Sequence, residues 1–148
     1  MNDLLKKGSE SDFKLYLFTF ILSIVAYGFA LSNYTLSVDN EIPILSDFAL
    51  DMGRWGQNLI RFHLFNGHLQ YFTFILGLFL FSVSAVRLAK FFNFDNIYAY
   101  FFCGLFITIP QISYQVVFYM MSDIAGLGIL LSVVSVDIFV RNIDNNSK

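Results

Sequence analysis

The chain has 148 residues, of which 57% are hydrophobic and 14% are charged. Soluble domains carry roughly 25% charged residues, so this composition excludes an ordinary soluble domain and predicts a membrane protein whose apolar residues form long uncharged runs. The formal net charge of −2 gives no indication of a nucleic-acid partner, and we expect none.

Two uncharged runs in the first part of the chain are long enough to cross a bilayer. Residues 15–32 (LYLFTFILSIVAYGFALS) contain no charge, and a membrane-spanning helix needs about 20 mostly apolar residues. Residues 71–89 are nearly as apolar. Arg87 and Lys90 lie at the far end of this second run, where long cationic side chains can reach the headgroups. We therefore predict membrane spans at 15–32 and 71–89.

A third uncharged region lies between residues 95 and 123. It is too long for one helix with its loop and too short for two full spans. Pro110 marks the break, because a proline lacks the amide proton and disfavours helix in the residue before it. We predict spans at 97–109 and 119–140, joined by a short turn near 110–122.

Two acids belong to the last predicted span. Asp123 lies near its start, and an ionisable side chain inside a membrane is costly and usually faces a cavity or a partner. We interpret Asp123 either as a substrate-cavity residue or as a residue at the end of a loop. Asp137 lies four residues before Arg141, which favours an ion pair on one helix face. Gly126 and Gly128 permit close contact with another helix, and Ser122 lies four residues before Gly126, a spacing of small residues that favours such contact.

The basic residues that flank the spans predict the orientation, because cytoplasmic loops carry an excess of lysine and arginine. With four spans, all but Arg54 and Arg61 fall on one side. The residues on that side are Lys6, Lys7, Lys14, Arg87, Lys90, Arg141 and Lys148. We therefore predict an all-α polytopic membrane protein of about four transmembrane helices, with both termini in the cytoplasm and residues 33–70 outside.

The outer segment 33–70 contains a predicted amphipathic helix at about residues 47–63, with Ser46 as its N-cap. Its apolar residues recur at spacings of four and three, and polar residues follow the same spacing on an adjacent face. The apolar stripe is Phe48, Met52, Trp55, Leu59 and Phe62, and the polar stripe is Asp47, Asp51, Arg54, Asn58 and Arg61. We expect this helix to lie in the membrane interface, with the polar stripe facing water or a cavity.

Asp39, Glu41 and Arg54 admit two interpretations. They are either loop acids and a solvated arginine paired with Asp51 at i, i+3, or parts of a transfer site at the membrane surface. In transfer from a lipid-phosphate donor to a polar acceptor, a carboxylate takes the proton from the attacking hydroxyl and a cation stabilises the departing phosphate. Arginine suits the second role because its planar fork can hold two phosphate oxygens. Asp39 is the candidate base, Glu41 the second candidate, and Arg54 the candidate phosphate contact.

Several short motifs, in order along the chain, resemble a known family. They are Tyr34 with Ser37-Val38-Asp39-Asn40-Glu41, then Gly53-Arg54-Trp55-Gly56, then Ser113-Tyr114-Gln115 followed by Asp123 and Gly126. Together with the aromatic-rich spans, they resemble the bacterial O-antigen glucosyltransferases of the GtrII type, which are polytopic enzymes of the GT-C class. The resemblance implies transfer of glucose from a polyprenyl-phosphate carrier to lipid-linked O-antigen on the periplasmic side of the inner membrane.

The resemblance also implies roles for individual residues. GT-C enzymes typically place a catalytic Asp or Glu in the first outer loop, which corresponds here to Asp39 and Glu41. The candidate substrate-binding residues are then Arg54, Trp55, Tyr114, Gln115 and Asp123. Members of this family usually have more spans than this chain, so we expect it to be the N-terminal part of a larger transferase or to be completed by a second chain.

A different class of function stays open at this point, namely a small non-enzymatic integral membrane protein that contacts a partner through its helices. Four spans can hardly enclose a cavity for both a lipid-linked donor and an acceptor glycan, and this favours the alternative. The single cysteine, Cys103, permits no internal disulfide, and no Cys/His spacing typical of zinc is present. We expect no metal site and no cofactor, with a requirement for a divalent cation left open.

Overall fold

The computed structural model describes residues 2–32, 55–59, 70–117 and 122–146, and the structural statements below concern these residues. Seven helices and no strand lie within them. In chain order they are α1 (Asn2–Tyr27), α2 (Phe29–Ser32), α3 (Trp55–Asn58), α4 (Gln70–Phe91), α5 (Asn96–Thr108), α6 (Pro110–Val117) and α7 (Ser122–Asn146). The predicted all-α class is confirmed for this part of the chain.

Two of these helices are long and apolar enough to cross a membrane, namely Tyr71–Phe91 within α4 and Ser122–Ile143 within α7. They coincide with the second and fourth predicted spans. The first and third predicted spans are also helical, in α1 with α2 and in α5, but α5 has only 13 residues. The total of four spans therefore stays a prediction.

α1 and α4 lie side by side and run in opposite directions. Lys90, in the last turn of α4, forms an ion pair with Asp12, which lies towards the start of the apolar part of α1. Further along, the hydroxyls of Ser23 and Ser82 approach to 3.5 Å. The residue number falls along α4 as it rises along α1, so the two helices are antiparallel.

α5 returns alongside α1 and is parallel to it. The rings of Phe18 and Tyr100 meet edge to face at 5.0 Å between centroids. At the far end, the hydroxyl of Tyr27 donates a hydrogen bond to the carbonyl oxygen of Ile107 at 2.6 Å. From the first pair to the second, the residue number rises along both helices, so the two helices are parallel.

α7 packs against α4 and is parallel to it. The hydroxyl of Ser122 donates a hydrogen bond to the carbonyl oxygen of Thr73 at 3.3 Å. A Cβ atom added to Gly126 would lie 2.9 Å from the Cβ of Leu80, so the two helices are in close contact one turn further on. The close helix contact predicted for Ser122 and Gly126 is confirmed.

These directions give the bundle two distinct ends. The proline end holds Tyr27, Thr73, Pro110 and Ser122, and the lysine end holds Lys90 with its partner on α1. Segment 33–69, which joins α2 to α4, therefore leaves from and returns to the proline end.

α4 is the central helix and makes its most extensive contact with α7. At the proline end its buried residues Phe74, Leu78 and Phe81 form a core with residues of α5 and α6. At the lysine end its small buried residues Ala85 and Ala89 pack on α1 and α5. Burial of this apolar stripe at helical spacing holds the described helices together.

The chain breaks between α5 and α6 at the predicted proline. Ile109 is extended, with φ −60° and ψ 138°, as expected for a residue before proline. Pro110 then occupies the first position of α6, where its fixed φ favours helix and its missing N–H costs nothing. The amides of Ile112 and Ser113 donate to the Ile109 carbonyl oxygen at 3.0 and 3.1 Å. The predicted break is confirmed, but the short turn predicted near 110–122 contains a helix.

Candidate functional site

The candidate site residues fall unevenly on the described part of the chain. Asp39, Glu41 and Arg54 lie outside the described residues, as does most of the helix predicted at 47–63. The remaining four are Trp55 in α3, Tyr114 and Gln115 in α6, and Asp123 in the first turn of α7. The side chains of Tyr114 and Gln115 are outside the described part.

Asp123 is buried, with 3% of its surface exposed. Of the charged side chains whose burial the structure describes, it is the one that is buried. It lies beside Ser122, which bonds the Thr73 carbonyl, and both of these neighbouring polar residues are also buried. The first turn of a helix favours a negative charge because the unpaired N–H groups lie there. Asp123 is thus inside the protein in the first turn of α7, and its interpretation as a substrate-cavity residue stays a prediction.

The short helix α3 has two different sides. The Trp55 side chain is 71% exposed, whereas Asn58 is 7% exposed. Trp55 belongs to the predicted apolar stripe and Asn58 to the polar stripe, and the amphipathic helix predicted at 47–63 stays a prediction because only residues 55–59 of it are described. An exposed tryptophan is typical of a membrane–water interface, where its apolar ring and polar N–H are both accommodated.

The proline end also contains a cluster of buried apolar side chains. Ile112 and Val116, one turn apart on α6, are buried against Phe74, Leu78 and Ile107. This contact holds α6 on the bundle next to the first turns of α4 and α7. The first turns of α7 pack on the same cluster through Ala125 and Ile129, so the buried Ser122 and Asp123 lie at the edge of this apolar core.

The described helix ends meet at the proline end. α2 ends there at Ser32 and α4 begins there at Gln70. α6, which carries Tyr114 and Gln115, and the first turn of α7, which carries Asp123, lie there too. Asp39, Glu41 and Arg54 lie outside the described residues, and their place at this end stays a prediction.

No group of three or more His, Cys, Asp or Glu side chains within the described ranges could hold a metal ion. Cys103 is buried in the core at the lysine end. At that end Lys90 joins α4 to α1. Lys90 pairs with Asp12 and lies 5.7 Å from the ring centroid of Tyr16, a cation–π contact.

The predicted ion pair on α7 is present. The Nε of Arg141 lies 2.7 Å from an Asp137 carboxylate oxygen, at i, i+4 spacing. Both residues are in the second half of α7, away from the proline end. The confirmed pair removes Asp137 from the list of acids available for chemistry.

Two residues that position the site were not identified from the sequence. Tyr27 reaches Ile107, a residue of α5, and Gly77 lies against the start of α7. Gly77 is one small residue in an apolar run and has no local signal. Tyr27 lies just before Gly28, near the end of the first apolar run. This position is the one sequence signal that could have identified Tyr27.

Comparison with known proteins identifies a family. The family model described as glucosyl transferase GtrII matches residues 28–145. No curated protein and no solved structure matches the chain. The matched region contains all the candidate site residues and runs from the start of α2 into the last turn of α7.

Proposed function

The chain belongs to the glucosyl transferase GtrII family, and on that premise we propose that it transfers glucose from a polyprenyl-phosphate carrier to lipid-linked O-antigen. The reaction takes place on the periplasmic face of the bacterial inner membrane. The observation that carries the proposal is the family match, which includes every candidate residue at the proline end. Two helices long and apolar enough to cross a membrane support a site beside a lipid-linked donor.

Asp39 acts as the general base in this proposal, with Glu41 as the second candidate. The carboxylate takes the proton of an acceptor hydroxyl, whose oxygen bonds to the anomeric carbon of glucose. The bond from that carbon to the phosphate oxygen breaks, and its electron pair leaves with the polyprenyl phosphate. Arg54 holds the phosphate oxygens of the donor and of the departing group.

The other candidates bind the sugar. The buried carboxylate of Asp123 supplies acceptor oxygens for sugar hydroxyls, and Trp55 supplies an exposed apolar ring. Tyr114 and Gln115 belong to α6, which lies next to both the α4 and α7 first turns. Trp55, Tyr114, Gln115 and Asp123 then contribute to one polar site next to the apolar cluster of the proline end.

The orientation follows from charge. α1 and α5 run one way and α4 and α7 the other, which is compatible with four alternating spans. Arg87, Lys90 and Arg141 lie towards the lysine end, and such residues are enriched on the cytoplasmic side. We therefore assign the lysine end to the cytoplasm and the proline end to the periplasm.

A reconstituted transfer assay tests this function. Membranes that contain the chain receive radiolabelled glucose on polyprenyl phosphate together with lipid-linked O-antigen, and the labelled glycan is measured. The chain is expected to make product formation depend on both lipids. Labelling that is the same in membranes lacking the chain would overturn the proposal.

The assay also separates the residue roles. Asp39→Asn is expected to lower the rate by about a hundredfold or more, as for loss of a general base. Asp95→Asn serves as the matched control, because Asp95 is an exposed acid near the lysine end. If Glu41→Gln has the larger effect, the role of base passes to Glu41. Arg54→Ala is expected to weaken use of the donor most.

A further inference from the structure

The hydroxyl of Tyr27 joins the end of α1 to the break between α5 and α6. It donates a hydrogen bond to the carbonyl oxygen of Ile107 at 2.6 Å, across a separation of 80 residues. Ser113, in the first turn of α6, lies beside the Tyr27 side chain. One phenol group therefore contacts both helices on either side of Pro110.

Pro110 explains why a donor is needed here. A continuous helix would supply the Ile107 carbonyl with the amide of Gln111, but Pro110 disfavours helix at Ile109, and the extended Ile109 interrupts the helical bonding before Gln111. A buried carbonyl without a hydrogen-bond donor destabilises the fold, because it has lost its bonds to water. The hydroxyl of Tyr27 replaces a missing amide donor at the break.

α6 has a second attachment through its apolar side. Ile112 and Val116 are buried in the cluster that includes Phe74 and Leu78, and Tyr27 packs against the same cluster. The apolar contact keeps α6 on the bundle but is not directional. The hydrogen bond of Tyr27 to Ile107 is directional, and together with the Ser113 contact it constrains the angle at which α6 leaves α5.

We infer that Tyr27 is a positioning residue of the glucosyl transfer site, which sets the direction of α6 and thereby the placement of its candidate sugar-binding residues. The inference rests on the proposed function for what α6 binds. The Tyr27 hydroxyl, rather than the apolar contact of α6, determines how tightly the site binds its donor. Loss of the hydroxyl should therefore weaken donor binding more than it slows the chemical step.

The test compares Tyr27→Phe with Tyr16→Phe in the full chain in membranes. Both changes remove one hydroxyl from α1. The Tyr16 ring faces Lys90 at the opposite end of the bundle, and a phenyl ring keeps that contact. Ser113→Ala removes the α6 partner of Tyr27 and is expected to act in the same direction as Tyr27→Phe.

Amide hydrogen exchange is the first readout. Tyr27→Phe is expected to raise exchange in α6 by about three- to tenfold, the equivalent of one net hydrogen bond, with the second half of α7 unchanged. Tyr16→Phe should leave α6 exchange at the wild-type level. Equal exchange in α6 for Tyr27→Phe and wild type would overturn the inference, and so would a uniform rise over all helices.

The kinetic split is the second readout. Tyr27→Phe is expected to raise KM for polyprenyl-phosphate glucose by about three- to tenfold with kcat changed less than about twofold. Raised exchange in α6 with an unchanged KM would reduce Tyr27 to a structural contact and overturn its positioning role. If the wild-type chain transfers no glucose, the proposed function fails, and the exchange measurement alone then decides whether Tyr27 fixes α6.

Discussion

Gly77 on α4 and Ser122 at the start of α7 approach so closely that no side chain fits between them. A Cβ atom on Gly77 would lie 2.7 Å from both the hydroxyl oxygen and the carbonyl carbon of Ser122. Such distances are well inside van der Waals contact, and the carbonyl carbon belongs to the backbone. The pair therefore sets where α7 begins on α4, and with it the place of Asp123.

Replacement of Gly77 by alanine is expected to separate α4 from α7. Overpacking of a close contact costs about 1–3 kcal/mol, so we expect a lower thermal midpoint for Gly77→Ala, and likewise for Gly126→Ala, whose Cβ would meet Leu80. Gly128→Ala is the matched control, because nothing lies within 4 Å of its added Cβ. Alanine is favoured over glycine in a helix by about 1 kcal/mol, so Gly128→Ala should keep or raise stability. A loss of stability with Gly128→Ala equal to that with Gly77→Ala would contradict this account.

The two ends of α5 are predicted to lie on opposite sides of the membrane. In a Cys103→Ser background, Gln111→Cys and Asp95→Cys each introduce one thiol at an exposed position. Asp95 makes no side-chain cap hydrogen bond, so its replacement should cost little. A membrane-impermeant maleimide added to intact spheroplasts is expected to label the Gln111→Cys variant and to leave the Asp95→Cys variant unlabelled until the membrane is opened. Labelling of both variants in intact spheroplasts would place both ends of α5 on one side.

The ion pair between Lys90 and Asp12 is expected to contribute little to stability. The two side chains are 42% and 46% exposed, so water and salt screen their attraction. Asp12→Asn should lower the free energy of unfolding by less than about 1 kcal/mol at low salt, and the difference should vanish at high salt. Thermal unfolding in detergent at two salt concentrations measures this difference. A large loss of stability at both salt concentrations would contradict the expectation that the ion pair contributes little.

Asp123 is expected to be more important for activity than for stability. Burial disfavours the charge of Asp123 and its place in the first turn of α7 favours it, so the two effects oppose each other, and asparagine has almost the same shape. Asp123→Asn should therefore lower transfer of glucose while the thermal midpoint changes little. A lower midpoint together with normal transfer would assign Asp123 to the fold instead.

The helices were largely predictable because their signals are local. Long uncharged runs predicted the apolar helices, Pro110 predicted the break, and the spacing of Asp137 and Arg141 predicted their ion pair. α6 was expected to be a turn, because proline is a stop signal for one helix and a favourable first residue for the next. Whether a turn or a new helix follows Pro110 depends on the burial of Ile112 against the bundle, and the local sequence does not contain that information.

The positioning contacts could not be predicted for a different reason. Tyr27 and Ile107 are 80 residues apart, and neither residue type indicates the other. The same holds for Gly77 and Ser122, since a glycine in an apolar run reads like any other small residue. For the candidate site, sequence motifs name the residues and the family match covers the region that contains them, while the structure adds the burial of Asp123 and the packing of α6 on the bundle.

The mass of the O-antigen repeat unit gives the most direct test of the proposed glucosyl transfer. A bacterial host that makes lipid-linked O-antigen and polyprenyl-phosphate glucose, but has no glucosylation of its own, receives the chain or its Asp39→Asn variant. We predict a repeat unit heavier by one hexose with the wild-type chain and with Asp95→Asn, and an unmodified repeat unit with Asp39→Asn at an equal membrane level. An unmodified repeat unit with the wild-type chain present in the membrane would contradict the account.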